Sequence, residues 1–275
     1  MCAVTNAHVL RGLETYYDEA PRALARVEQH GPLTLFVATD PEGWPYYARP
    51  RPGLEDVVTA ADVTAVRQRQ RELGVPEALE WVHETTPSLR AAVAETGLPI
   101  EECPLLVLEG APQARPGTAD LRLMDPDDPE LVRVWGAIEV GFDHLGTAAG
   151  RAGIEARDAW VAKHPDRADR TAALVRSGLS VLVGAFEPDV GAVGGGSHNP
   201  RDLGSSRIAE IVGVAVLPAY RRRGIAADLS AELARHALDS GVSTVFCSAA
   251  GDDVARVYES VGFRRVGTAC MAEAG

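Results

Sequence analysis

The sequence predicts an α/β protein of two domains, and three observations carry that expectation. Apolar runs of strand length alternate with segments of helical spacing through the second half. One of those strands, ending at Val214–Leu217, runs into the arginine- and glycine-rich loop YRRRGIAA, which opens a helix. A segment with two prolines and two glycines, Glu109–Thr118, separates this series from a similar one before it. The division expected is a first domain over 1–112, a linker over 113–119 and a second domain over 120–275.

Composition bounds the class. The chain has 275 residues, 46% hydrophobic and 24% charged, as in ordinary globular proteins. No apolar run reaches the ~20 residues of a membrane span, and the N-terminus lacks a basic region followed by an apolar one. Cys2, Cys103, Cys247 and Cys270 are scattered without metal-ligand spacing. They read as reduced thiols of a cytoplasmic protein without a metal. A net charge of −12 argues against a nucleic-acid partner. It is compatible with a cationic substrate, although acidity also serves solubility.

The elements of the second half follow from periodicity. Leu121–Met124 is a short strand. Asp128–Phe142 is a helix with Leu131, Val134, Trp135 and Ile138 on its apolar face, behind an acidic start at Asp125–Asp128. Glu155–Ser177 is helical and interrupted near Pro165. Leu179–Phe186 is a strand, Pro188-Asp189 a turn, and Gly191–His198 a glycine-rich strand paired back onto it. Arg207–Leu217 is too apolar to lie at the surface and reads as a central strand. The helix Gly224–Ser240 repeats Ile225, Leu229 and Leu233 on one face. Val242–Ser248 is a buried strand. Asp252 or Asp253 caps a helix through Ser260, with Gly262 at its C-terminal turn, and Phe263–Met271 is the last strand.

The first half is sparser. Leu33–Ala38 and Trp44–Ala48 read as strands, Ala60–Leu73 as helix, Ala78–His83 as strand, Ser88–Thr96 as helix and Leu105–Leu108 as strand. The run SLRAAVAETGLPIEECPLLVLE echoes YESVGFRRVG in going from helix through glycine to strand.

A strand–loop–helix junction can hold a pyrophosphate on backbone N–H groups at a helix N-terminus. In the second half, RRRGIA fits the pattern [Q/R]-x-x-G-x-[G/A] at Arg221, Gly224 and Ala226. Pro218 and Tyr220 stand in its lead-in, and VYESVGF follows some 30 residues later. Together, in this order, these segments resemble the GCN5-related N-acetyltransferase (GNAT) superfamily over roughly Asp120–Ala272. The resemblance implies a mixed, mostly antiparallel sheet flanked by helices. It also implies acetyl-CoA as co-substrate and transfer of its acetyl group to a primary amine by direct attack. The acceptor, small molecule or peptide, is not legible, and a homodimer stays open. The other reading is a non-catalytic acyl-CoA-binding regulatory protein.

The resemblance also implies roles. Arg221, Arg222, Arg223, Gly224, Ile225, Ala226 and Ala227 form the pyrophosphate loop, in which not every arginine needs to touch ligand. Val214, Ala215 and Val216 lie along the acyl arm, and the Val214 N–H polarises the thioester carbonyl. Tyr258 stands at the position of the general acid. Glu210, in AEIVGVAV, matches the glutamate of the AEIVFCAI strand that serves as base in histone-acetyltransferase members. His198 and water are the other candidates for the base. Family members often carry Asn where this chain has Gly251, so one pantetheine contact falls to Ser248 or Asp252. Trp135 and Phe142 read as core packing, and His144, His164 and His236 have no partner pattern. The first half reads as a degenerate copy of the same fold. Where its phosphate loop should stand is RPRPG, Arg49–Gly53, in which two prolines remove N–H donors, so no coenzyme is expected there.

Overall fold

The computed structural model describes residues 2–40, 43–44, 46–53, 57–113, 119–144, 146–204 and 206–274, with side chains from Asn6 onward. Residues 114–118 of the expected linker and Pro45 of the expected strand 44–48 lie outside the described residues. The chain divides into two compact units, residues 1–105 with 266–275, and residues 106–265. The last strand thus serves the first unit with its C-terminal part.

The first unit begins with α1 (Cys2–Glu19), which the sequence reading missed, and a short 3-10 turn. Three strands follow, β1 (Ala25–His30), β2 (Leu33–Ala38) and β3 (Ala48–Pro50), each antiparallel to the next. Helix α2 (Ala60–Leu73) crosses over to β4 (Ala78–Val82), parallel to β3. Then come α3 (Pro87–Glu95) and β5 (Ile100–Leu108). The C-terminal strand β11 (Phe263–Glu273) pairs antiparallel with β4 through Ala269–Glu273. The core of this unit gathers Leu33, Leu35, Val63, Leu79, Trp81 and Leu89.

The second unit repeats the order. After β6 (Asp120–Leu123) and the helices α4 (Leu131–Phe142), α5 (Ile154–Lys163) and α6 (Arg167–Arg176) come three strands. These are β7 (Val181–Glu187), β8 (Gly191–Leu203) and β9 (Ser206–Val216), again antiparallel in turn. Helix α7 (Ile225–Asp239) crosses to β10 (Thr244–Ser248), parallel to β9, and α8 (Asp252–Glu259) leads to β11.

 Strand order in this unit is β10-β9-β8-β7-β6. The shared sequence of antiparallel meander, crossover helix, parallel strand, helix and strand makes the first unit a second copy of the same topology. The break near Pro165 separates α5 from α6 as expected. The strand expected at 44–48 lies instead at 48–50, and β1 was not anticipated.

Close approach in the second unit depends on glycines. A Cβ at Gly195 would stand 2.6 Å from Val134 on α4, and one at Gly196 would stand 3.1 Å from Leu233 on α7. Neighbouring residues of a strand face opposite ways, so α4 and α7 pack on opposite faces of the sheet. Gly141, near the end of α4, lies against the end of β9. A Cβ there would meet the Ala215 Cβ at 2.8 Å and the Val216 carbonyl oxygen at 3.2 Å. Backbone on the receiving side cannot yield as a flexible side chain would. Gly141→Ala should therefore lower unfolding stability by about 1–3 kcal/mol, measured by chemical denaturation, whereas a change near zero would contradict this packing.

Candidate active site

Strand β9 is paired unequally on its two edges. Against β8 its register continues to Gly194↔Val216. Against β10 it runs only Thr244↔Ile208, Val245↔Ala209 and Phe246↔Glu210. Beyond Glu210 the edge of β9 facing β10 is unpaired, and the two parallel strands part. Between Gly195↔Ala215 and Ser197↔Val212 the register shifts, so that Gly213 and Val214 oppose Gly196 alone. Gly213 has φ +69°, the left-handed conformation that a glycine bulge uses to re-aim a strand. Val212, Gly213 and Val214 are only partly buried, whereas Ala215 and Val216 are buried.

The loop after β9 turns through a 3-10 element, Pro218–Tyr220, into α7. Gly224 is the N-cap, with φ +84° and no side-chain hydrogen bond to the helix. Arg222 adopts φ +66°, rarely populated by residues other than glycine. The first amides of α7 are thus left for an external acceptor, and the helix dipole adds partial positive charge there. Gly224 is exposed, Ala226 and Ala227 are half-buried, and Ile225 packs into the core.

The three arginines differ. All five N–H donors of the Arg221 guanidinium go to main-chain carbonyls. Nε donates to Val216 at 3.1 Å, Nη1 to Gly146 at 2.9 Å and Ala148 at 3.1 Å, and Nη2 to Gly141 at 2.7 Å and His144 at 2.8 Å. Its side chain is spent on holding backbone, and burial lowers its pKa. Arg222 is exposed. Arg223 is exposed and lies 5.1 Å over the Tyr220 ring and 3.5 Å from the Glu187 carboxylate.

Glu210 and Tyr258 sit on opposite sides of the parting strands. Glu210 pairs with Asn199, three residues from Gly196 and therefore on the other face from α7. Tyr258 is on α8, buried in the core cluster that α7 and Cys247 share. Its ring meets Phe263 edge-on at 5.6 Å between centroids. Burial pushes the Tyr258 hydroxyl well above its ordinary pKa, with Cys247 and the Glu210 charge adding to the rise. It therefore stays protonated at neutral pH. Cys247 is raised in the same way by burial and Glu210.

Other sequence candidates fall elsewhere. His198 is buried beneath α7, its Nε2 3.0 Å from His236 Nδ1 and its Nδ1 without a partner. Burial first, then His236 and Arg207, lower its pKa to about 4. The pairing with His236 escaped sequence reasoning because the two histidines are 38 residues apart. Gly251 is the N-cap of α8, Ser248 is exposed at the end of β10, and Asp252 is ion-paired with Arg265 at 2.7 Å. The N-cap position falls on Gly251, so neither Asp252 nor Asp253 is the N-cap residue expected. Phe142, expected in the core, is 48% exposed. The neighbouring Gly141 is the residue that packs against the end of β9, and the Phe142 ring is left outside. Trp135 is partly buried, donates to Glu139 at 2.9 Å and carries Arg167 over its ring at 4.4 Å.

The corresponding junction of the first unit is closed. Thr59 and Asp62 form a capping box on α2, the hydroxyl accepting from the Asp62 N–H and the carboxylate from the Thr59 N–H at 2.9 Å. An anion would meet a carboxylate there instead of free amides. Arg49 of the RPRPG segment is turned inward, 2% exposed, between Glu14 at 3.4 Å and Glu80 at 3.3 Å, with Tyr17 under its guanidinium at 4.2 Å.

Among the described residues no group of three or more metal-ligating side chains converges, and no helix is long and apolar enough to cross a membrane. Cys103, Cys247 and Cys270 are free and buried.

Residues 150–263 match the family model of the acetyltransferase (GNAT) family. No curated protein matches the sequence. Among solved structures, a GCN5-related N-acetyltransferase from Kribbella flavida is similar over 97% of this chain and 96% of that one, at 18% identity and a TM-score of 0.68. A GCN5-related N-acetyltransferase from Sphaerobacter thermophilus is similar over 88% and 80%, at 15% identity and a TM-score of 0.52. A tandem GNAT protein from the clavulanic acid biosynthesis pathway is similar over 88% and 78%, at 19% identity and a TM-score of 0.51. At these identities the likeness is one of fold, and it includes a tandem arrangement.

The buried His198 carries a prediction for pH. Its ordinary value of 6.5 in the unfolded chain exceeds its folded value of about 4. Above pH 6.5 its neutral form is present in both states and its contribution to stability is full. As pH falls from 6.5 to 4 the unfolded chain takes up the proton first, removing up to roughly 3 kcal/mol. Denaturation curves between pH 7 and pH 4 should show that loss, and His198→Leu should flatten it. An unchanged slope in the variant would contradict the assignment.

Proposed function

We propose that this chain, whose residues 150–263 match the acetyltransferase (GNAT) family model, transfers an acetyl group from acetyl-CoA to a primary amine. The observation that carries the reading is the coincidence of two openings. The edge of β9 without a strand partner begins after Glu210, and the uncapped N-terminus of α7 stands beyond the same strand's end.

In this reading the coenzyme pyrophosphate lies on the amides of Arg222–Ala227, where Gly224 lets the backbone approach it. Pantetheine takes the place of the missing strand partner along Val214–Val216. The Val214 N–H then polarises the thioester carbonyl as negative charge develops on its oxygen. Arg222 and Arg223 supply mobile positive charge to the phosphates, Arg223 by leaving Glu187. The amine attacks from the face that carries Glu210, which takes its proton, directly or through water. The tetrahedral intermediate collapses and the thiolate leaves toward the opposite face, where the Tyr258 hydroxyl donates a proton to it. The raised pKa keeps the Tyr258 hydroxyl protonated at neutral pH, as a proton donor must be. His198, closed beneath α7 and bonded to His236, is poorly placed to serve as base. The first unit, with its capped helix and inward Arg49, is read as a copy without a coenzyme.

The test is a panel of amines with thiol release as the readout. Tyr258→Phe should lower kcat about 10- to 100-fold, in keeping with the loss of a general acid, while acetyl-CoA affinity stays near wild type. Unchanged kcat would remove Tyr258 from the mechanism. Tight coenzyme binding without turnover on any amine would instead support the regulatory acyl-CoA-binding reading.

A further inference from the structure

The connection from α4 to α5 is fastened at three points that belong to different parts of the site. Arg221, from the loop after β9, holds the carbonyls of Gly141, His144, Gly146 and Ala148. Pro218 and Ala219 exchange backbone bonds with Gly150 and Ala152, each at 3.0 Å. At its far reach, Thr147 donates its N–H at 3.1 Å and its hydroxyl at 3.0 Å to one oxygen of Asp253, in the first turn of α8. Gly146 (φ +79°) turns tightly beside that carboxylate, with room of only 3.3 Å for a Cβ.

The route matters more than any single bond. The connection leaves α4 on one face of the sheet and touches the start of α8, which shares the other face with α7. It therefore passes across the end of the sheet where β9 and β10 part. The Asp253 carboxylate is held below its ordinary pKa, chiefly by the Thr147 hydroxyl bond, and so remains an acceptor at neutral pH.

We propose that residues 146–150 are a strap that closes the parted ends of β9 and β10 over the acyl arm of the coenzyme, latched by Thr147 on Asp253. Arg221 is the positioning residue that posts the strap to the phosphate loop. Filling the loop and closing the strap are then mechanically linked, because one guanidinium joins both. This rests on the reading that residues 222–227 hold the coenzyme pyrophosphate.

The full chain tests it with acetyl-CoA as the probe, by titration calorimetry and amide hydrogen exchange. Thr147→Val removes the hydroxyl donor and Thr147→Ser restores it. Without ligand, Thr147→Val should raise exchange over 146–150, and Thr147→Ser should not. With acetyl-CoA, Thr147→Val should raise Kd about tenfold, the scale of a lost hydrogen bond to a charged group. Thr147→Ser should bind like wild type, and Asp253→Asn should shift exchange and Kd in the same direction as Thr147→Val. If wild type binds acetyl-CoA and Thr147→Val matches it in both readouts, the strap is wrong and the phosphate loop stands. If wild type does not bind acetyl-CoA, the phosphate-loop reading fails and the strap falls with it.

Discussion

The site depends on one failure of pairing. A strand inside a sheet normally satisfies its N–H and C=O groups on both edges, and β9 does so up to Glu210. From there to Val216, among the described residues, β8 is the only strand paired with it. An unpaired edge is tolerable in a folded domain when something else fills it. An extended amide-bearing arm has the right chemistry, because it can bond to main chain as another strand would. The glycine bulge at Gly213 and the glycine stripe of β8 serve this opening. They allow α4 and α7 to press on the sheet from both faces while the β9 edge stays free.

The two units show how the same topology can be open or closed. In both, an antiparallel meander feeds a crossover helix and a parallel strand. In the second unit that helix starts at a glycine with free amides, and the nearby arginine Arg221 is bonded only by neutral carbonyls, which leave its charge uncompensated. In the first, Thr59 and Asp62 occupy the amides, and Arg49 is matched by Glu14 and Glu80. A positive potential left uncompensated invites an anion, and one already compensated does not. Burial pushes the Glu80 carboxyl up to about 7, while Arg49 beside it pulls the other way.

Local patterns were the legible part. The apolar run of β2 and the helical spacing of α2 marked the bounds of both elements, and Pro165 marked the break between α5 and α6. The glycine and arginine motif located the α7 junction. What stayed hidden was long-range or weakly patterned. β1 has the half-exposed sequence ARVEQH, whose apolar content is too low to mark a strand. β3 carries Pro50, which reads as loop although a proline can end a strand. Arg221 reads as a phosphate ligand because its spacing fits the motif. Its actual partners, apart from Val216, lie 73 to 80 residues away in sequence and no spacing rule reaches them. The Thr147–Asp253 contact spans 106 residues and was equally invisible.

The central claim is that coenzyme binds once per chain, at the open N-terminus of α7. Calorimetric titration of acetyl-CoA into wild type and Gly224→Val measures it directly. The account predicts one site per chain in wild type and loss of that site in the variant, since valine resists φ +84° and its side chain would stand where the phosphate must approach. Two sites per chain, or undiminished binding by Gly224→Val, would contradict it.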